Sequence, residues 1–567
     1  MNFNLFCKYL EKLEETDSRL EMTTTLADLL RKASLGEIGS VCYLALGRLG
    51  PLFDNPQFNI ASKMMIRAVS RSFEASEADV LGTFKKKGDL GTTAACLRNP
   101  QLAKIVPMTQ SISEVYHLLL DIANDGGTGS QERKLRKIVH LLSLADNLSV
   151  KYIVRIVLGT LRTGSSEVTL LDALSWMVKG DKSARVPIEQ AFNVFPDIGY
   201  IATLIKKDGL TALSSVNLKV GVPIKAQLCQ RLNRPAEIIK RHGGVTAAEP
   251  KLDGTRVQLH CHTPFVKTFT RNLDETTHQF PEIIAEACRI KATSFILDGE
   301  AIGVDPKTGQ LLSFQKTITR KRKHHVQEAA LSVKLILIVF DILYLNGESL
   351  LSAPFIKRRQ KLERLLTGGS SIVVGNQLQT GSAKELEQYF EEYTAGGGEG
   401  LVCKDLQSPY KAGGRGYSWI KFKNLNEDNL NDTIDCLVMG IYRGRGKRTK
   451  FGVGAFLAGV LDNAAGQYKT IAKIGTGLTD KEWEKLAKIG EKLQIKNKPR
   501  DYLVPKELTP DVWFSPKLVV SIRADNITKS PLHSAGKALR FPRLMAWRED
   551  KAPSDITTLN ELTAIQP

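Results

Sequence analysis

The chain of 567 residues is poor in several things. Its eight cysteines, at 7, 42, 96, 229, 261, 288, 403 and 436, form no C-x-x-C pair, which excludes the common zinc-module spacing and gives no sign of a disulfide framework. A reducing compartment suits such a chain. No stretch reaches the roughly 18 apolar residues of a membrane span, and MNFNLFCKYLEKLEE meets acidic residues before any run of signal-peptide length. The expectation is a soluble intracellular protein without membrane contact. There is no low-complexity tract, and 42% hydrophobic with 25% charged residues is ordinary globular composition, so disorder does not dominate. The length predicts two to four domains.

What is present in excess is positive charge. Net charge is +19, of which residues 1–215 carry only +3 and the rest of the chain +16. Such a balance favours polyanionic partners, nucleic acid before acidic membrane surfaces.

Apolar residues at spacings of three and four run through LADLLRKAS, ASKMMIRAVSRSF, ERKLRKIVHLLSLAD, VKYIVRIVLGTLR and LLDALSWMVKG. They predict an all-helical domain over residues 1–216. Beyond it, short strand-like runs broken by Gly and Pro, among them EPKLDGTRVQLHC, SFILDGEAI, KLILIVFDILYLNGE and YSWIKFK, predict a sheet-rich α+β domain over 217–424. LILIVF reads as a strand buried on both faces and Asn346-Gly347 as a turn. A polar stretch, NLNEDNLNDT, reads as a linker, and the strands of 425–567 have the spacing of a small antiparallel barrel.

Three constellations carry chemistry. In EPKLDGTRVQLH, Lys251 stands at the mouth of a strand, beside an expected Asp253-Gly254 turn and near Arg256. A neighbouring cation lowers an amine's proton affinity, and a neutral amine is a nucleophile. The bland reading is a solvated lysine at a hairpin. In YSWIKFK, the period of two puts Trp419, Lys421 and Lys423 on one face and Ile420 and Phe422 on the other. Two lysines on one face call for water or an anion between them, and a phosphate is the expected one. Glu300 and Glu399 each occur where an apolar strand meets a glycine-containing turn; together they suit a hard divalent cation.

Taken in order, KLDGTR (251–256), TRNLDE (270–275), LDGE (297–300), FDILYLNG (340–347), EGLVCKD (399–405) and SWIKFK (418–423) resemble the successive motifs of covalent nucleotidyltransferases, specifically ATP-dependent DNA ligases of the archaeal and replicative type. LRFPRLMAWREDKAP (539–553) is similar to the last motif of that group, and KKKGDLG (85–91) with VRIVLGTLRTG (154–164) resembles its helical DNA-binding domain.

The resemblance implies a helical DNA-binding domain, an α+β adenylation domain and a C-terminal β-barrel OB-fold. It implies Lys251 as the nucleophile that takes AMP, Glu249 as acceptor from the adenine amino group and Phe340 as the stacking ring. Arg256 and Arg271 would contact ribose or phosphate, and Lys421 and Lys423 the α-phosphate. Glu300 and Glu399 would serve ribose and Mg²⁺ or Mn²⁺, and Arg548, with Asp550 and Lys551, the pyrophosphate. Nicked duplex DNA is the expected partner. Its phosphates would meet Arg162 in the helical domain, Arg320, Arg322 and Lys323 within FQKTITRKRKHH (314–325), and Arg443 and Arg445 within YRGRGKRTK (442–450). In isolation both charge runs read as solvated loops, and His324 and His325 read as surface residues, not ligands.

No clamp-binding peptide stands out, so a sliding clamp is an expectation of the resemblance alone, as are a monomeric state and replication, repair and recombination roles in a prokaryotic cytoplasm or nucleoid. A capping guanylyltransferase or an RNA ligase shares K-x-D-G and the two-lysine strand, but neither resembles the helical domain or LRFPR. A DNA-binding protein that has kept the fold without catalysis is the reading from another class.

Overall fold

The computed structural model describes residues 1–98, 109–305, 310–312, 334–396, 398–423, 433–444, 446–524 and 526–565. The chain divides into two compact units, one of residues 1–83 and 90–423, the other of 84–89 and 424–567.

The first unit begins as the periodicity predicts, with helices from Phe3–Glu15 to Ile198–Asp208. Each quoted apolar run falls on one of them: Arg19–Lys32, Ser62–Phe73, Ser130–Leu144, Asn147–Val157 and Glu167–Lys179. Polar caps set the starts: Ser18, Asp146 and Ser166 side chains each accept from a backbone N–H in the first turn of the helix that follows. Gly88 (φ 67°) follows the helix Glu77–Lys87, and Gly159 (φ 63°) and Gly164 (φ 71°) follow Asn147–Val157, so both Gly-containing motifs mark helix ends.

Two sheets follow in the same unit. Their strands are β1 (Leu228–Arg231), β2 (Thr246–Pro250), β3 (Thr255–His262), β4 (Phe265–Thr270), β5 (Ser294–Val304), β6 (Lys334–Leu345), β7 (Glu348–Ser349), β8 (Ile372–Val374), β9 (Leu378–Thr380), β10 (Leu401–Asp405) and β11 (Arg415–Phe422). A five-stranded sheet runs β1-β11-β10-β2-β9; a six-stranded sheet runs β4-β3-β5-β6-β7, with β8 also on β6. The five-stranded sheet packs Ala248, Leu401, Cys403, Ile420 and Phe422 against Ile238, Ile239, Leu386 and Phe390 of two helices. The six-stranded sheet packs Val257, Leu259, Leu297, Leu337 and Val339 over Ile283 and Leu362. Each sheet thus buries one face under helices, and the other faces pack together in part through Ile296, Leu343 and Trp419.

The strand containing LILIVF is not covered equally on both faces. Leu335, Leu337 and Val339 are buried, while Ile336, Ile338 and Phe340 are half-buried. Asn346 (φ 46°) and Gly347 (φ 93°) form the predicted tight turn, pairing Leu345 with Glu348.

The second unit is sheet-rich, with β12 (Ile434–Arg443), β13 (Val453–Asp462), β14 (Gln467–Ile474), β15 (Gln494–Ile495), β16 (Tyr502–Leu503), β17 (Val512–Phe514), β18 (Val519–Arg523), β19 (Asn526–Lys529), β20 (Lys537–Arg540) and β21 (Arg543–Trp547). Its main path is β15-β17-β12-β13-β14-β16, with β18 bridging β12 and β21. Among the described residues this path does not close on itself, so the expected barrel stands as an open, sheet-rich arrangement. The core lies between these strands and the helix Asp480–Leu493, through Phe456, Ile471, Trp483, Leu486 and Phe514. The expected linker falls almost wholly outside the described residues. No helix among those described is long and apolar enough to cross a membrane.

Candidate active site

Antiparallel register decides which side chains of the five-stranded sheet share a face. Glu249 lies opposite Val402, and Val402 opposite Lys421; Ala247 lies opposite Lys404, and Lys404 opposite Trp419. Directly opposed residues point the same way, so Glu249, Lys404, Trp419 and Lys421 share the face away from the helices. Ile420 and Phe422 go to the other, as the period of two predicts.

Lys251 follows the end of β2, and its N–H donates to the Gly400 carbonyl at 2.8 Å. That bond anchors the nucleophile candidate to the residue next to Glu399. The Lys251 ammonium contacts Glu399 Oε2, and Lys423 Nζ lies 3.5 Å from the same oxygen. Burial lowers the proton affinity of Lys251, and the Lys423 charge lowers it further, against Asp253 and Glu300. The sequence points to Arg256 as the perturbing cation; the structure points to burial and Lys423. The reason is that Arg256 is already paired.

On the six-stranded sheet Arg256 lies opposite Glu300 across β3 and β5. Its guanidinium forks onto Asp298, Nε to Oδ1 at 3.0 Å and Nη2 to Oδ2 at 2.6 Å, and Nη1 donates to the Gln227 carbonyl at 2.7 Å. Tyr410 adds its hydroxyl to Asp298 Oδ2 at 2.9 Å. Such a bidentate pair fixes Arg256 in position and in charge. Asp298-Gly299-Glu300 is not a turn, as the sequence suggests, but the middle of β5. Gly299 is needed for close approach: a Cβ there would come 2.8 Å from the Ile338 carbonyl oxygen. Gly254 serves likewise, since a Cβ would meet the Ala301 carbonyl oxygen at 2.5 Å. Glu300, in this setting, has its carboxyl pushed up to about 7, burial outweighing Arg256 and Lys251.

Phe340 lies on β6 and lines the cavity with Lys251. Its carbonyl accepts from Lys404 Nζ at 3.0 Å, and the same ammonium is 2.6 Å from Glu249 Oε2. Gln377 Nε2 donates to Glu249 Oε1 at 3.2 Å, and Arg359 Nη1 stands 3.6 Å from that oxygen. Asp341 beside Phe340 is fully buried and takes both arms of Arg358, at 2.7 and 3.0 Å.

The cavity between these groups measures about 640 Å³. Lys251, Arg256, Arg271, Glu300, Phe340 and Lys404 all line it; Arg271 is exposed on the connection after β4. Glu399, Lys421 and Lys423 are not in its lining; Glu399 and Lys423 adjoin it through the Glu399 contacts, and Lys421 shares the sheet face of Glu249. Sequence reasoning missed Lys404, Asp298, Tyr410, Arg358, Arg359 and Gln377. Lys404 was within reach: in LVCKD the alternation that buries Leu401 and Cys403 under helices turns Lys404 to the other face.

The carboxylates suit a hard cation. Mg²⁺ takes one or two carboxylates together with substrate phosphates and water. Glu300, in the cavity lining, and Glu399, in contact with Lys251, are the candidate donors. Among the described residues there is no cluster of three acidic, His or Cys ligands.

None of the remaining sequence-predicted residues that are described lines this cavity. Arg162 (φ 64°) is half-buried in the helical part. Arg443, exposed at the end of β12, and Arg548 belong to the second unit. Arg548 donates to Asp550 at 2.8 and 2.7 Å and to Asp435 at 3.4 Å, and Lys551 reaches Asp435 at 2.5 Å. Arg320, Arg322, Lys323 and Arg445, like His324 and His325, lie outside the described residues.

With this geometry in hand, comparison with known proteins is decisive. Residues 226–423 match the ATP dependent DNA ligase domain, 2–175 the DNA ligase N terminus and 449–551 the ATP dependent DNA ligase C terminal region. The chain is 40% identical to the probable DNA ligase of Dictyoglomus turgidum, over 99% of this chain and 97% of that protein. It belongs to the ATP-dependent DNA ligase family. This ligase is also 36% identical to DNA ligase 2 of Thermofilum pendens, over 99% of its own length and 96% of that protein. A solved structure, Pmar-Lig_Pre, shares the fold of the ligase with a TM-score of 0.56 at 18% identity, over 96% of this chain and 99% of that one. The cleft built from β2, β3, β5, β6, β10 and β11 falls within the matched ATP dependent DNA ligase domain.

Proposed function

We propose that the protein seals nicks in duplex DNA, joining a 5′-phosphate to a 3′-hydroxyl at the cost of ATP. The observation that carries this reading is Lys251: an amine of lowered proton affinity, tethered by its backbone at the edge of a cleft, with Lys423 and Arg256 close by. Phosphoryl-type transfer is catalysed chiefly by positioning and charge neutralisation, and this cleft offers both.

The Lys251 amine attacks the α-phosphate of ATP and expels pyrophosphate, leaving AMP on its nitrogen. AMP then passes to the nick 5′-phosphate, and the 3′-hydroxyl displaces it to close the strand. Glu249 accepts from the adenine amino group while Phe340 stacks on the ring. Lys421 and Lys423 receive the α-phosphate, and Arg271 a phosphate or ribose. Arg256, its orientation held by Asp298, contacts the same groups. Glu300 and Glu399 would hold Mg²⁺ or Mn²⁺, which when bound neutralises phosphate charge. Arg548, Asp550 and Lys551 serve the pyrophosphate.

We assign residues 1–216 to DNA binding, 217–424 to nucleotidyl transfer and 425–567 to an OB-fold. Arg162, Arg320, Arg322, Lys323, Arg443 and Arg445 supply phosphate contacts, which makes affinity fall with salt. The protein acts as a monomer, and a sliding clamp is a fitting partner for the replication, repair and recombination roles of such an enzyme.

The test is labelling with ATP and nick sealing by wild type and Lys251→Ala. The variant is expected to lose the AMP adduct and sealing while still binding nicked duplex. An adduct retained in Lys251→Ala overturns the assignment, and a GMP adduct alone in the wild type favours a capping guanylyltransferase.

A further inference from the structure

The base end of the cleft contains more machinery than one glutamate needs for a hydrogen bond. Lys404 is 1% exposed, and its ammonium joins Glu249 of β2 to the backbone carbonyl of Phe340 on β6. It also lies 4.5 to 4.7 Å from the ring centres of Trp419, Phe340 and Phe355. Arg359 adds a second cation: its Nη1 is buried, has no hydrogen-bond partner among the described residues and faces Glu249 Oε1 at 3.6 Å. A buried lysine spanning two sheets is expensive to keep unless its charge is used.

We propose that Lys404, assisted by Arg359, is a positioning residue that sets nucleobase specificity by holding Glu249 as a carboxylate aligned with the Phe340 ring. This rests on the reading of Glu249 as the adenine acceptor. An ionised carboxylate only accepts hydrogen bonds, so it welcomes the adenine amino group and repels the guanine O6 that occupies the same place on the ring. A carboxylic acid donates, and would bind O6. Burial favours the acid form of Glu249, and Lys404 and then Arg359 oppose it. The other groups around Glu249 are Gln377, the Tyr389 phenol on the helix Ala383–Ala395, Cys403 on β10, and Asp341 on β6, the last neutralised by Arg358. Lys404 and Arg359 are the cations that favour the carboxylate, with Gln377 donating to it, so removing either cation tips the balance toward the acid form.

The experiment measures kcat/KM for adduct formation with α-phosphate-labelled ATP and, separately, GTP, from acid to neutral pH, in wild type, Lys404→Met, Lys404→Arg and Arg359→Met. Lys404→Met is expected to cut the ATP-over-GTP preference by about tenfold or more, the worth of one misplaced buried hydrogen bond. The remaining preference should begin to decline at a higher pH than in wild type, Lys404→Arg should restore it, and Arg359→Met should move it less in the same direction. Should Lys404→Met fail to fold, Arg359→Met still decides. An unchanged preference in the folded variants, or equal loss with both nucleotides, overturns the proposal and leaves the ligase reading intact. No AMP adduct in the wild type sinks that reading instead.

Discussion

The five-stranded and six-stranded sheets both send ionised side chains toward one cleft, but they treat them differently. On the six-stranded side two arginines are saturated: Arg256 forks onto Asp298 and Arg358 onto Asp341, with both aspartates fully buried. On the five-stranded side Lys251 and Lys423 share one carboxylate, Glu399, and Lys421 has no ion-pair partner among the described residues. Saturated pairs hold a wall in shape; a lysine such as Lys421 keeps its attraction for a phosphate. The difference separates charges that build the cleft from charges that act in it.

That division is open to breakage. The largest effect is expected from Asp341→Asn, which strands the buried Arg358 charge and should cost about 3–5 kcal/mol in urea unfolding. Asp298→Asn should follow it closely and also lose adduct formation, because Arg256 is released. Lys421→Met should do the reverse: stability within about 1 kcal/mol of wild type, but adenylation slowed about 10²-fold, as for loss of one electrostatic donor to a developing charge. If Lys421→Met unfolds as readily as Asp341→Asn, the two walls are not different in kind.

Two smaller effects concern pH. The rate of adduct formation should rise as Lys251 loses its proton, with a midpoint below that of an ordinary lysine. Lys423→Met removes a like charge, so that midpoint should move up in single-turnover profiles. For Glu300 the folded-state pKa, about 7, lies above the ordinary 4.5, so the folded state binds the extra proton between the two. Stability contributed by that proton is complete at acid pH and lost as pH rises through about 7. Glu300→Gln should therefore raise Tm relative to wild type above neutrality, with the gain vanishing in acid.

How much of this was legible differs by element. The helices were plain, because amphipathic spacing and caps are local. The two faces of SWIKFK were plain as well, since a period of two needs no partner strand. The setting of Glu300 was misread because DGE looks like a turn; only pairing with β3 and β6 shows that the glycine admits a close strand approach. Arg256 was taken as the cation beside Lys251 because the two are close in sequence. Lys423 is 172 residues from Lys251 and reaches it only through the β10–β11 pairing and Glu399. Lys404 and Arg359 could not be linked to Glu249 without the sheet register and the helix Phe355–Leu365.

The most direct test of the account is to incubate the wild-type protein with ATP alone, digest it and locate the AMP by mass spectrometry. A phosphoramidate on the peptide containing Lys251, and on no other lysine, is the predicted result. AMP on Lys404, Lys421 or Lys423, or no adduct at all, would contradict it.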